Sequence, residues 1–209
     1  MLNRGVDKRK IVLNEEDHIR FVHDLFVLND KQHVLRFDAP DRREQQRVRS
    51  LLVHIHAFCL MPNHYHLLLS EATKNGISQF MKKLNMGYAK YFNEKYDRSG
   101  ALWQGKYKKK IIERDAHFLY IPYYIHLNAL DLSMPEWREG KVKNTSQALK
   151  KLKGYRWSSH LDYLGVKNFP SITEREFLAQ TIGTRERYEK EIGNIISNTD
   201  LASRSGGLE

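Results

Sequence analysis

Cysteine is nearly absent from this chain. Cys59 stands alone among 209 residues, which excludes an intramolecular disulfide framework and any zinc site built on several thiolates. Long apolar runs are absent too. Ala57-Phe58-Cys59-Leu60-Met61 is followed at once by Pro62-Asn63-His64, and such stretches fall far short of the roughly 20 residues a membrane span requires. No transmembrane helix is expected. Met1 to Lys8 carries charge where a signal peptide needs its apolar region, so the default expectation is a cytoplasmic protein. Acidic residues are in the minority, 25 against 35 Lys plus Arg, for a formal charge of +10 and a pI of about 9.6. Internal repeats and low-complexity tracts are also missing. What is present suffices for a core: 41% of residues are hydrophobic and 11% aromatic, so wholesale disorder is not expected. The length suits one ordinary domain with an extension.

A positive charge of this size points to an anionic partner, most commonly nucleic acid. The basic residues cluster at Lys8-Arg9-Lys10, at Lys82 and Lys83, and at Lys106 with Lys108, Lys109 and Lys110. The last two groups lie beside Tyr88, Tyr91, Trp103 and Tyr107. Cations track phosphates while exposed bases stack on rings, so this mixture suits single strands. Trp103 is open to two readings, a core residue or a platform facing DNA.

Asn14-Glu15-Glu16-Asp17 has the form of a helix start, a capping residue followed by acids, and apolar spacing continues to about Asn29. Asp30 to Arg49, with Pro40, reads as loop. Leu51–Leu60 and His64–Ser70 read as two strands joined at Met61-Pro62-Asn63, because proline presets a turn dihedral and removes a ladder donor. Gly76–Tyr96 carries Phe80, Met81, Leu84, Tyr88 and Tyr91 at helical spacing. Leu102–Glu113 reads as a further strand, and Asp115 caps a helix to about Leu130. Helix, strand, strand, helix, strand, helix is an α+β order, an antiparallel sheet with helices on one face. Residues 131–209 read as a helical C-terminal extension ending in a mobile tail from about Ala202.

Side chains alternate along a strand, so His64 and His66 share a face about 7 Å apart at the backbone while Tyr65 points the other way. Two imidazoles so presented can share a divalent cation, or they can simply pack on a half-buried sheet. Tyr124 and Asn128, four apart on a helix, also share a face. They offer a hydroxyl nucleophile and an oxygen ligand, although tyrosines in such a helix are commonly core. His54 and His56 could join His64 and His66 in a four-histidine zinc site if the turn register allows. Cys59 lies out of phase with His54 and His56, and His126 is rotated about 200° from Tyr124.

Four blocks taken in order carry a family resemblance. They are Met61-Pro62-Asn63-His64-Tyr65-His66-Leu67-Leu68-Leu69, Leu102-Trp103-Gln104-Gly105-Lys106-Tyr107-Lys108, Tyr124-Ile125-His126-Leu127-Asn128 and Tyr155-Arg156-Trp157-Ser158-Ser159. The chain resembles the single-tyrosine HUH transposases from about Arg4-Gly5 to Gly165, and is most similar to their REP-associated branch. The resemblance implies a ferredoxin-like sheet, a catalytic domain over 1–130, Tyr124 as nucleophile, and His64, His66 and Asn128 as ligands of Mg²⁺ or Mn²⁺. It further implies single-stranded or hairpin DNA as substrate, cleavage and strand transfer through a 5′-phosphotyrosine, and a homodimer. The candidate DNA contacts are Lys82, Lys83, Trp103, Lys106, Lys108, Lys109 and Lys110. Three features depart from the family pattern. Only three residues precede Arg4-Gly5, where relatives have a full strand; Ala129-Leu130-Asp131-Leu132 stands where REP-associated relatives carry Pro-Val-Arg-Ala; and Pro122 lies two residues before Tyr124. Two competing functions are a domesticated hairpin-DNA-binding protein without turnover and a zinc-dependent hydrolase using the His-x-His pairs.

Overall fold

The computed structural model of the chain describes residues 1–32, 49–113 and 115–198. Most of the loop expected from Asp30 to Arg49 and the tail expected from Ala202 lie outside these residues, as does the capping side chain expected at Asp115. Strands β1 (Leu2–Arg4), β2 (Val53–Met61) and β3 (His64–Glu71) form an antiparallel sheet in the order β1-β3-β2. The expected hairpin turns at Pro62 and Asn63 and places Met61 opposite His64.

The strand expected over Leu102–Glu113 is reduced to bridges at Trp103 and Lys108 along the outer edge of β1. Lys108 and Leu2 exchange backbone hydrogen bonds, and Gln104 N–H donates to Arg4 O at 2.8 Å. Because β1 is only three residues long, it offers the rest of that segment no ladder to join. With this edge included, the sheet has the order of a ferredoxin-like fold.

Helix α1 (Glu15–Val27) opens on a capping box in which Asn14 and Asp17 bond each other's backbone N–H. Helix α2 (Gly76–Lys95) begins where the chain passes so close to β2 that a Cβ on Gly76 would lie 1.9 Å from Leu52 O. Both helices cover one face of the sheet, burying Phe21, Leu25, Phe80 and Leu84 against Val53, Ile55, Phe58, Leu60, Tyr65 and Leu67.

The expectation of helices on one face holds for these two only. Helix α3 (Asp115–Leu127) packs on the opposite face with the extension. The reason is in β2: Ala57, Cys59 and Met61 are as apolar as Ile55, Phe58 and Leu60, so both faces need cover. A bulge at His56, between Ile55 and Ala57, shifts the alternation of β2. It brings Cys59 onto the face of His54 and directly across from His66, against the expected phase. Pro122 lies inside α3, which continues through it.

After two 3₁₀ turns, Asn128–Leu132 and Pro135–Glu139, the extension forms α4 (Thr145–Gly154), α5 (His160–Tyr163), α6 (Glu176–Ile182) and α7 (Arg185–Ser197). Its Trp137, Leu152, Leu178, Tyr188 and Ile192 share one core with α3. Residues 157–159 also cover the free edge of β2, with Leu60 N–H donating to Trp157 O at 2.9 Å and Ser159 N–H to Phe58 O at 3.0 Å.

A buried hydrogen-bond chain joins extension to sheet. Ser159 Oγ donates to Phe58 O, so His126 Nε2–H donates to Ser159 at 2.7 Å. Tyr188 Oη–H then donates to His126 Nδ1 at 2.6 Å, and His160 Nδ1–H to Tyr188 at 2.9 Å. No helix among the described residues is long and apolar enough to cross a membrane.

Candidate active site on the α3 face

Alternation along β3 sends His64 and His66 to the α3 face, their rings 5.0 Å apart and nearly perpendicular. His64 Nδ1 lies 2.6 Å from the amide oxygen of Asn63, which can only accept. The imidazole proton therefore sits on Nδ1 and Nε2 is left as a lone pair, a neighbouring group that fixes the ligand tautomer. Burial, reinforced by Arg4 and Arg138 and opposed by Asp131, lowers the His64 pKa to about 4. His66 is held well below the ordinary histidine value, chiefly by burial and then by His64. Both rings are thus neutral at neutral pH, the form that ligates a metal.

Tyr124 meets this pair from α3, its ring edge-on to that of His66 with centroids 5.9 Å apart. One turn later, at the end of the helix, Asn128 is fixed at both ends of its amide. Nδ2 donates to Tyr124 O at 2.7 Å and Oδ1 accepts from Arg138 Nη2 at 2.9 Å. Arg138 Nη1 also donates to the Tyr124 hydroxyl at 3.3 Å, and its Nε and Nη2 donate to Asp131 at 2.9 and 2.6 Å. Trp137 adds a hydrogen bond to Asp131 and a ring 6.0 Å from that of Tyr124.

Spacing in the sequence names Tyr124, Asn128, His64 and His66 as candidates. Arg138 and Asn63, which contact them, and Asp131, which holds Arg138, are not among those candidates. Asn63 had a signal, a polar residue in the turn next to the first histidine. Arg138 had none, since it is brought back to the site only by the two 3₁₀ turns after α3.

The donor set fits a divalent cation. His66 Nε2 is buried and has no hydrogen-bond partner among the described residues, the kind of orphaned atom a metal satisfies. Asn128 Oδ1 uses one of its two lone pairs on Arg138 and keeps the other. Among the described residues no three His, Cys, Asp or Glu side chains converge as a metal site.

The four-histidine arrangement is not formed. His54 pairs across from Ser70, far along the hairpin from the Met61–His64 end. His56 bonds Ser70 Oγ at 2.8 Å and approaches the Glu174 carboxylate at 3.3 Å. The other tyrosines of α3 are also distinguished: Tyr123 stacks on Tyr188 of the extension, while the ring of Tyr120 is 6.3 Å from that of Tyr124.

A cleft of about 670 Å³ opens beside His66 and Tyr124 and is walled by Lys108, Lys109 and Lys110. The remaining candidate DNA contacts are dispersed. Trp103 is a core residue, edge-on to Tyr65 with Nε1–H donating to Asn85 O at 2.8 Å, and it leaves the DNA-facing set. Lys83 donates to Asp30 O at 2.5 Å, and its pKa is lowered by burial. Lys82 and Lys83 belong to α2, which contributes Ile77 but neither lysine to the lining of the cleft. Lys106 is exposed on the 102–108 edge.

No curated protein and no solved structure matches the chain. The family model described as "Transposase IS200 like" matches residues 22–128, which take in the hairpin with its two histidines, α2, α3, Tyr124 and Asn128. By that match over half its length, the chain belongs to the IS200-like family of single-tyrosine DNA transposases.

Proposed function

We propose that the protein is a metal-dependent single-strand DNA endonuclease and strand transferase that uses Tyr124 as its nucleophile. The observation that carries this is the placement of the Tyr124 ring against His66, both lining a cleft walled by lysines, with Asn128 one helical turn on from Tyr124. In this reading His64, His66 and Asn128 would hold Mg²⁺ or Mn²⁺, which would polarise the scissile phosphate and stabilise the departing 3′-oxygen. Tyr124 Oη forms the new bond to phosphorus as the P–O3′ bond breaks, the phenolic proton leaves to solvent or a base, and the 3′-oxygen takes up a proton. The products are a 5′-phosphotyrosine and a free 3′-hydroxyl. Because the link conserves the phosphodiester, a second 3′-hydroxyl reverses the step on another strand. Arg138 orients the phenol and the Asn128 amide together, and Trp137 backs the ring.

Residues 1–130 are the catalytic domain in this reading, and 131–209 the extension that supplies Arg138. The homodimer rests on the resemblance alone: residues 102–108 cover the β1 edge and 157–159 lie along β2, so a partner copy is not placed on either. A hairpin-binding protein without turnover is the competing reading, and one assay separates the two. On a single strand labelled 3′ of the cut, in Mn²⁺, the wild type should give a covalent protein–DNA band on a denaturing gel. Tyr124→Phe should give none, and Tyr120→Phe and Tyr123→Phe should retain it. A band from Tyr124→Phe overturns the nucleophile, and no band from the wild type on hairpins from its own flanking DNA favours the binding protein.

A further inference from the structure

The cleft does not end at Tyr124. Its far end is lined by His56, Phe118 and Phe177, and Phe177 comes from α6 of the extension. Phe177 is 56% exposed, and a single exposed aromatic residue would ordinarily need no explanation. Its surroundings make this one different. Its ring lies against the His56 ring at 4.7 Å and 36°, and edge-on to Phe118 at 5.7 Å.

His56 is itself a fixed backing. It occupies the β-bulge, a feature that re-aims a side chain. It is also tied by Nε2 to Ser70 and by Nδ1 to Glu174. An apolar ring held on a rigid plate, facing a cleft whose other wall is the Lys108–Lys110 run, combines a π-face with phosphate-binding charge. Ser70 is four residues from His66 on β3, which sets the platform about 13 Å along the strand from His66.

We propose that Phe177, backed by His56 and Phe118, is a base-stacking platform for single-stranded DNA. It takes a base a few nucleotides from the phosphate at Tyr124 while Lys108, Lys109 and Lys110 track the intervening backbone. This rests on the reading of the protein as acting on single strands, and it gives the extension a role in substrate binding. The chemistry is tolerant of base identity, since every base has a π-face, so the platform supports affinity and register more than sequence readout.

The test uses the full chain in EDTA, so that binding is measured without cleavage. The probe is a fluorescein-labelled pool of random 12-nucleotide single strands, followed by anisotropy. Phe177→Leu keeps the apolar packing on His56 but loses the aromatic face. It should weaken binding about five- to a hundredfold, while Phe177→Trp should bind within about twofold of wild type. In a second pool carrying 5-iododeoxyuridine, ultraviolet crosslinks should map to the peptide containing Phe177. Wild-type affinity in Phe177→Leu, equal loss in Phe177→Leu and Phe177→Trp, or crosslinks confined to other peptides would overturn the platform.

Failure of the cleavage reading is seen separately. Phe177-dependent binding with no covalent adduct from the wild type leaves the platform standing and removes the nuclease. An adduct that needs Tyr124, with Phe177 variants binding as wild type, does the reverse.

Discussion

The two faces of one hairpin divide the work of this protein. Tyr65 and Leu67 of β3 point into a core closed by α1 and α2, and the Tyr65 hydroxyl is answered at 2.6 Å by Asn85. His64 and His66, one residue out of step, point toward α3, where a buried nitrogen is left without a hydrogen bond among the described residues. On the first face the one polar group of these strand residues is answered, whereas on the second the strand presents an unmet nitrogen, an exception that the proposed metal site would explain. A period of two lets eight residues of strand serve both ends.

The largest effects should come from breaking that division. Phe21→Ala opens a cavity in the sealed face, where Phe21 is fully buried, and should cost about 3–5 kcal/mol in denaturant titration. His66→Leu, on the other face, removes an orphaned nitrogen and should leave the melting temperature unchanged or raised. In the wild type Mn²⁺ at a hundred times its Kd should add about 2.7 kcal/mol, and in His66→Leu that gain should vanish. An undiminished Mn²⁺ effect in His66→Leu would remove His66 from the metal site.

The extension sharpens the comparison through pH. Burial, with Lys153 adding and Glu189 opposing, lowers the pKa of His160 from 6.5 to about 4. Between those values the unfolded chain takes up a proton that the folded chain refuses. Stability should therefore be at its plateau above pH 6.5 and fall as pH drops toward 4, by about 3 kcal/mol from this group. His126, also kept neutral by burial, adds a loss of the same sign. The difference between wild type and His160→Gln isolates the one residue, and should change across that window and stay flat above it. A pH-independent difference would mean that His160 titrates normally.

What was legible in the sequence was local. The His64–His66 pair followed from alternation, the turn from Pro62, and the Tyr124–Asn128 pair from a four-residue helical step. Each needs only its own element to be right. What was not legible depended on distant partners. The bulge at His56 appears only when β2 meets β3, and it reverses the phase argument for Cys59. Trp103 is core because α2 and β3 close around it, and 102–113 loses its strand because β1 is short. Helices on both faces could have been foreseen from the apolar residues at alternate positions of β2, read both ways. Arg138 lies ten residues beyond Asn128 and nothing in its spacing marks it.

Arg138→Lys tests that residue with less expected damage. Lysine keeps the charge beside Asp131 but cannot present a planar fork to Tyr124, Asn128 and Asp131 together. Adduct formation under single-turnover conditions should slow by about tenfold or more, with DNA affinity in EDTA unchanged. A rate equal to wild type would show that Arg138 is a structural tether only.

The smallest expected effect separates the faces by charge. Lys109 walls the cleft, whereas Lys83 is outside its lining with its ammonium on the Asp30 carbonyl. If single strands run along the cleft, each lysine there neutralises a phosphate and releases counterions. Lys109→Ala should then weaken binding alike across sequences and flatten the logarithmic salt dependence by about 1. Lys83→Ala removes no phosphate contact in this arrangement and should leave the salt slope as it is, although the lost bond to Asp30 can lower stability slightly. The slope matters more than the affinity, because it counts phosphates and is insensitive to a small change in folded fraction. Equal slopes for the two variants would mean that DNA does not choose the α3 face.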